Sequence, residues 1–370
     1  MATNEQMSHA SPGKVATIKD VARRCGVHYM TVSRALHHDP RVKPETVERI
    51  LNVAREMGYN FSNGDRGRRL VALRHNTRVI NHVIGVFFPR NIIHDPYFAE
   101  MFDGIMAVTA DAGYTLHVIP TIDSEAPEHL LSTLPPSLKR GDLDGAIFTQ
   151  WSPPRTFQVL QQLRQEPHFG ARPLVALMSE MAGCSSVTTD DYQGMSALMR
   201  HLLDYGHRHF MHSYWDRNTT ITDTQRYSAM RDACIARELD PVQCLHFEGI
   251  HWEQSLHHRM ELPVHRMLET HPEVTAIIAP NDFYARQIYT ILCRDGIRVP
   301  EDISLVGFDD TLPILDSAGN NILTTVHLPL EQVGRTATHV LIERIEQDDL
   351  EPVQRILPAE LVVRRSTRRV

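Results

Sequence analysis

Thr17-Ile18-Lys19-Asp20-Val21-Ala22-Arg23-Arg24-Cys25-Gly26-Val27-His28-Tyr29-Met30-Thr31-Val32-Ser33-Arg34-Ala35-Leu36 is the stretch that decides how the chain begins. Ile18, Val21, Ala22 and Cys25 fall at i, i+3, i+4 and i+7, which predicts a helix with one apolar face. Thr17 is placed to cap it, with Asp20 three residues on as an acidic capping-box partner. Gly26 predicts its end. A second helix, Tyr29 to Leu36, puts Val32, Ala35 and Leu36 on one side. Further out, a third helix opens with Pro44 in its first turn, carries Val47, Ile50, Leu51, Ala54 and Met57 as its stripe, and stops at Gly58. Three helices this close, the first two nearly abutting, outline a helix-turn-helix.

Beyond the third helix the pattern changes twice. Asn60-Phe61-Ser62-Asn63-Gly64 is a breaker cluster, and Arg66, Arg68, Arg69, Arg74 and Arg78 follow it with few acids between them, which reads as a basic linker. From residue 83 short apolar runs recur: Val83-Phe88, Thr115-Ile119, Gly145-Thr149, Leu174-Met178, Phe210-Tyr214, Ala276-Ala279 and Ser304-Phe308. Helical stretches such as Phe98 to Ala112 and Met195 to Tyr205 separate most of them. Alternation of this kind predicts βαβ units and parallel sheets covered on both faces. The stretch is too long for one comfortable sheet, so two α/β lobes with a cleft between them are expected.

Charge divides along the same boundary. The 370 residues hold 38 Lys+Arg and 45 Asp+Glu, a net charge of -7. Residues 1–78 hold 14 basic and 7 acidic residues, a net of +7, which leaves 24 basic and 38 acidic residues, a net of -14, for the remainder. A small basic head on an acidic body is expected to meet a polyanion. No apolar run approaches the roughly 18 residues of a membrane span, and the polar start offers no secretory signal. Cys25, Cys184, Cys234, Cys244 and Cys293 are scattered and never form a C-x-x-C pair. A disulfide framework is therefore not expected, and a reducing cytoplasm fits.

The head resembles the signature of the lactose-repressor/galactose-repressor (LacI/GalR) family of bacterial transcription regulators, through Thr17–Ala22, Gly26-Val27 and Thr31–Leu36. The resemblance continues through Val187-x-x-Asp190-Asp191-x-x-Gly194, Gly206-His207-Arg208-His209, Gln225-Arg226-Tyr227 and Asn281-Asp282. It closes with Val299–Asp310, Leu323–Val326 and Glu360–Thr367. It implies an all-α helix-turn-helix head and a two-lobed, periplasmic-binding-protein-like α/β core with parallel sheets. The expected divisions are a tail over 1–16, the head over 17–60, a hinge or linker over 61–82 and the core over 83–370. The N-lobe would take 83–187 and 328–354, and the C-lobe 188–327 and 355–370.

The resemblance also assigns roles. A recognition helix presents its first residues to base edges in the major groove, which places Tyr29, Met30 and Arg34 against bases. Arg34 can fork onto a guanine edge. Met30 departs from the polar residue many members carry, and its thioether suits a thymine methyl. Thr17, His28, Thr31 and Ser33 suit phosphate oxygens. The family's hinge pattern, Gly-Tyr-x-Pro-Asn-x-x-Ala-Arg-x-Leu, is altered: Gly58-Tyr59 is followed by Phe61-Ser62, and the Arg/Leu part is displaced into Arg68–Arg74, which leaves Leu70 or Leu73 as the minor-groove wedge. In the cleft, Arg226 and Asp282 hold effector-contacting positions, with Asn281 beside them. Trp252, Tyr97, Phe98, Gln150 and Trp151 would supply walls and further contacts. Asp190 and Asp309 are expected to hold loops or lobe interfaces.

The expected function is therefore sequence-specific binding of double-stranded operator DNA, controlled by a sugar-like, polyol or nucleoside effector, in a bacterial cytoplasmic homodimer rather than a tetramer. A solute-binding receptor would share the cleft but needs no basic head. A sugar-active α/β enzyme would need an acid/base pair or a phosphate loop, and neither G-x-S-x-G nor G-x-x-x-x-G-K-[ST] nor H-E-x-x-H occurs. No cofactor is expected. Of the 22 histidines, His246, His251, His257, His258 and His265 cluster without acidic or cysteine partners at ligand spacing, so no metal site is expected from the sequence.

Overall fold

Gly26 makes the turn that joins the first two helices. It adopts φ +64°, its amide donates to Arg23 O and that of Val27 to Ala22 O, and a side chain at that φ would be strained. The computed structural model describes residues 18–36, 41–57, 80–89, 95–121, 142–149, 172–214, 221–249 and 260–370. The chain forms two units, 1–79 and 80–370. In the first, α1 (Ile18–Cys25), α2 (Tyr29–Leu36) and α3 (Pro44–Glu56) bury Val21, Ala22, Val32, Ala35, Ile50 and Ala54 in one small core. Pro44 opens α3 at its first turn.

The second unit carries the two lobes. Its larger sheet contains β1 (Val83–Pro89), β2 (Thr115–Thr121), β3 (Gly145–Thr149), β4 (Leu174–Leu177), β5 (Ser185–Thr189) and β11 (Gln354–Leu357), in the order β11-β5-β4-β3-β1-β2. All of its pairings are parallel. The smaller sheet has β6 (Phe210–Tyr214), β7 (Leu245–Gly249), β8 (Ala276–Ile278) and β9 (Ser304–Val306), ordered β7-β6-β8-β9 and parallel throughout. An antiparallel pair, β10 (Thr325–His327) and β12 (Glu360–Val362), forms a third sheet, tied to the end of β9 by Gly307 N donating to Thr324 O and Asp309 N to Val326 O.

Helices cover these sheets: α4 (Pro96–Asp111), α5 (Asp191–Asp204), α6 (Ile221–Ile235), the short α7 (Pro241–Cys244), α8 (Glu261–Thr270), α9 (Asp282–Arg294) and α10 (Leu330–Gln347). α4 and α5 begin earlier than apolar periodicity suggests. Polar caps set those starts: the Asp95 carboxylate accepts from Tyr97 N, and that of Asp190 from Gln193 N.

Two boundaries also shift. The core unit starts at Ile80 rather than 83, because the Asn81 amide donates to Asp144 Oδ1 and Oδ2 at 2.9 Å and its side chain to Asp142 O. The larger sheet keeps the chain to Leu357 rather than 354, since β11 pairs with β5 and Asp190 N donates to Leu357 O at 2.8 Å.

Residues alternate between faces along each strand. In β6, Phe210 joins the largest apolar cluster, with Val306, Phe308, Val326, Leu328 and the inner residues of α10. Met211 points the other way, to Met260, Val264 and Met267 and the inner face of α9. α4 and α10 cross on glycines: a Cβ on Gly104 would lie 2.1 Å from Glu331 O, and one on Gly334 2.0 Å from Met101 O. Only glycine lets two backbones approach that closely.

Candidate functional site

The head presents one polar edge. Tyr29 and Met30 are exposed at the start of α2 although both are large and apolar in part, and His28 and Arg34 are exposed beside them. Thr31 and Ser33 are half-buried, while Val32 and Ala35 face the core. Helix α2 thus commits one side to packing and leaves the other as a row of donors and apolar surface. His28 caps the helix: its Nδ1 accepts from Met30 N at 3.3 Å, which leaves Nε2 as the protonated nitrogen. Its ring lies 4.4 Å from that of Tyr29. Thr17, Leu70 and Leu73 lie outside the described residues.

In the core, candidate residues gather at the carboxyl ends of the strands, where open α/β sheets hold ligands. Arg226, from α6, is the centre. Its Nε donates to Asp191 Oδ2 at 2.6 Å and one Nη to Pro280 O at 3.0 Å. Its other Nη is 3.6 Å from Asp309 Oδ1, and its guanidinium lies 3.7 Å over the Phe308 ring. Burial opposes this charge, but Asp191, Asp309 and Asp223 outweigh it and hold the pKa above the ordinary arginine value. Asp191 is fully buried and also accepts from Thr189 Oγ1.

Asp309 is the least satisfied member. Its Oδ1 is buried and makes no hydrogen bond, and its backbone sits at φ +100°, a conformation that L residues hold only under constraint. Burial, against the pull of Arg226 and with Asp282 and Asp191 nearby, pushes its carboxyl well above the usual range. From the other lobe, Tyr97 faces this group. Its hydroxyl pKa is raised by burial and then by Asp309 and Asp191, and its ring packs edge-on against Phe98 at 5.3 Å.

Asp282 is differently occupied. Its Oδ1 accepts from Thr325 Oγ1 at 2.6 Å and its Oδ2 from Thr311 N at 2.9 Å. A Cβ on Gly307 would fall 2.1 Å from Oδ1, so this glycine makes room for the carboxylate. Burial pushes the Asp282 pKa up to about 7 despite the Thr325 bond. Asn281 caps α9 by accepting from Tyr284 N at 3.0 Å. The pair expected to grip an effector side by side therefore ties the loop after β9 to the start of α9. Gln150, Trp151 and Trp252 lie outside the described residues.

Sequence reasoning missed Asp191 and Phe308 and gave Asp309 only a structural part. Asp191 is the first residue of α5, next to the Asp190 cap, and its guanidinium partner comes from another segment, so spacing along the chain does not mark it.

Residues 17–62 match the family described as bacterial regulatory proteins, lacI family, and residues 199–367 match a periplasmic binding protein-like domain. The first match covers the helix-turn-helix head, and the second covers the smaller sheet with β10, β11, β12 and the helices between them. The chain is similar to lacI-family regulators. It is a DNA-binding transcriptional regulator with an effector-binding core. It is 28% identical over 358 residues to a ribose operon repressor from Halalkalibacterium halodurans, covering 96% of this chain and 98% of that one. Its fold matches a transcriptional regulator CelR–cellobiose complex (TM-score 0.64, 22% identity, 95% and 99% covered). It also matches a lac repressor dimer bound to operator and the anti-inducer ONPF (TM-score 0.69, 21% identity, 96% and 100% covered). Among the described residues, no helix is long and apolar enough to cross a membrane.

Proposed function

We propose that this lacI-family regulator is a cytoplasmic homodimeric repressor whose effector is a small sugar, held between Arg226 and Asp309 of one lobe and Tyr97 of the other. The observation that carries this reading is the buried Asp309 Oδ1, which makes no hydrogen bond and lies 3.6 Å from an Arg226 Nη. A sugar hydroxyl lying between them accepts from the guanidinium and donates to the carboxylate, which satisfies both at once. Such an arrangement favours a polyol over an apolar ligand, which would leave the buried Asp309 Oδ1 without a hydrogen bond. Tyr97, its ring braced edge-on by Phe98, offers an aromatic wall for a sugar ring. Asp282 and Asn281 act one step back, fixing the loop that carries Asp309.

In the head, Arg34, Tyr29 and Met30 read base edges, and His28, Thr31 and Ser33 contact phosphates, with Thr17 and a leucine of the hinge, Leu70 or Leu73, completing the operator contact. Dimerisation is supported by exposed apolar residues on the larger lobe, Met106 on α4 and Val118 on the edge strand β2, and by the two-fold symmetry that operator half-sites demand.

Thermal unfolding of the purified chain against pentoses, hexoses, disaccharides and nucleosides tests the effector assignment. A cognate sugar at 100 times its Kd adds about 2.7 kcal/mol. Stabilisation by nucleosides alone, or by no polyol, contradicts it.

A further inference from the structure

The end of the four-stranded sheet opposite the cleft carries a second constellation. His209 precedes β6 and His246 lies within β7. Met211 pairs with His246 in parallel register, so His209, two residues before Met211, and His246 stand on one face. α8 covers that face through Val264 and Met267. It ends at His271, and Glu273 lies in the turn leading to β8, the neighbour of β6 on its other side. Spacing along the chain offers His246 no partner; the fold supplies them. His265, close to it in sequence, pairs instead with Asp295.

The donor atoms of His209, His246 and Glu273 all lie within 4.8 Å of one another. His246 Nε2 is 3.5 Å from Glu273 Oε1, and His271 Nδ1 is 3.1 Å from the same oxygen. The His246 ring lies 3.9 Å from that of His271 and 5.9 Å from that of His209. Two of the donors, His209 Nδ1 and His246 Nε2, are buried and make no hydrogen bond. Buried imidazole nitrogens without partners are uncommon and call for an explanation, and here two converge on one carboxylate.

We propose that His209, His246 and Glu273, with His271 beside them, bind one divalent transition-metal ion of the imidazole-preferring class, zinc foremost. Tetrahedral zinc with ligand bonds of about 2.0–2.1 Å sets its donors about 3.4 Å apart, close to the separations already present around Glu273 Oε1. Magnesium and calcium seek all-oxygen shells and are disfavoured. His271 either supplies a fourth nitrogen or holds Glu273 in place as an outer partner does. The partly exposed Glu273 gives the ion a way in, and the carboxyl end of α8 presents the negative pole of its dipole. The five residues of β6, at about 3.3 Å each, put this site roughly 16 Å from the effector cleft. The metal therefore braces the far end of the C-lobe and does not join the cleft.

The test uses the full chain without a polyhistidine tag, stripped with chelator and titrated with zinc chloride against a chromophoric zinc indicator. The expected result is one zinc per chain, with affinity reduced about tenfold or more in both His246→Ala and Glu273→Gln and unchanged in His265→Ala. Cobalt substitution should give the visible absorption of a site with nitrogen ligands, lost in the same two variants. Glu273 is partly exposed, so Glu273→Gln keeps the fold even where His246→Ala opens the core; circular dichroism checks both. No stoichiometric zinc, equal affinity in both variants and the parent, or loss of zinc in His265→Ala would each overturn the proposal.

Discussion

Arg34 and Asp309 sit at the two working ends of the chain, and each carries a prediction that its surroundings sharpen. Arg34 is exposed on α2, whose opposite side is committed to the core. Arg34→Ala should weaken operator binding by about 1–3 kcal/mol and relax the preference at one guanine per half-site, with little change on random DNA. Competition anisotropy with both DNAs checks this, and equal losses on the two would assign Arg34 to phosphate. Asp282 invites a pH experiment. Its folded pKa of about 7 lies above the value of about 3.9 in an unfolded chain. Between those values the folded core holds a proton that the unfolded chain has released, so this residue's contribution to stability falls as pH rises and is gone above about pH 7. Buried His207 and His212, held near 4 chiefly by burial, act oppositely, and stability falls as pH drops from about 6.5 toward 4. Comparing the parent with Asp282→Asn separates the two. From about pH 5 to about pH 8 the parent should lose stability relative to the variant, by an amount on the order of a few kcal/mol. Urea midpoints at the two pH values measure it, and parallel pH profiles would show that the Asp282 proton is not held.

At the scale of elements, the crossing of α4 and α10 rests on Gly104 and Gly334. Gly334→Ala forces a Cβ onto Met101 O, which the helices can relieve only by separating. The expected loss is about 1–3 kcal/mol of core stability, read by urea unfolding; an unchanged midpoint would mean that the helices adjust freely. The elements also explain what the sequence made legible. α1 to α3 follow from apolar spacing and from Gly26 and Pro44, and the buried strands follow from unbroken apolar runs such as Gly145–Thr149. β5, β10, β11 and β12 were harder to read. Ser185–Thr189 is polar by composition and fully buried, while β11 is mostly exposed at the sheet's edge, so hydrophobicity marks neither. In the cleft, Arg226 stood out because its type and motif are distinctive. Asp191 and Asp309 did not, since their partners come from distant segments and only folding brings three carboxylates around one guanidinium.

At the scale of the molecule, the account joins an effector between two lobes to operator affinity through a dimer. An effector alters DNA binding only by preferring one lobe arrangement over another. The proposed contacts, Arg226 and Asp309 in one lobe and Tyr97 in the other, would give it that preference. A dimeric mass in light scattering at micromolar concentration is expected, and a monomer that retained tight operator binding would contradict it. Asp309→Asn is the variant that isolates the coupling. It keeps the shape of the side chain, replaces a carboxyl that leaves one oxygen without a hydrogen bond within the protein, and leaves the Asp282 anchor intact. The most direct measurement is an operator titration with and without the sugar that stabilises the chain, for the parent and for Asp309→Asn. The account predicts that the sugar shifts the parent's operator affinity by about 5–150-fold, a coupling of about 1–3 kcal/mol, while Asp309→Asn binds operator normally without sugar and does not respond to it. An Asp309→Asn protein that responds at the parent's sugar concentration would contradict the account.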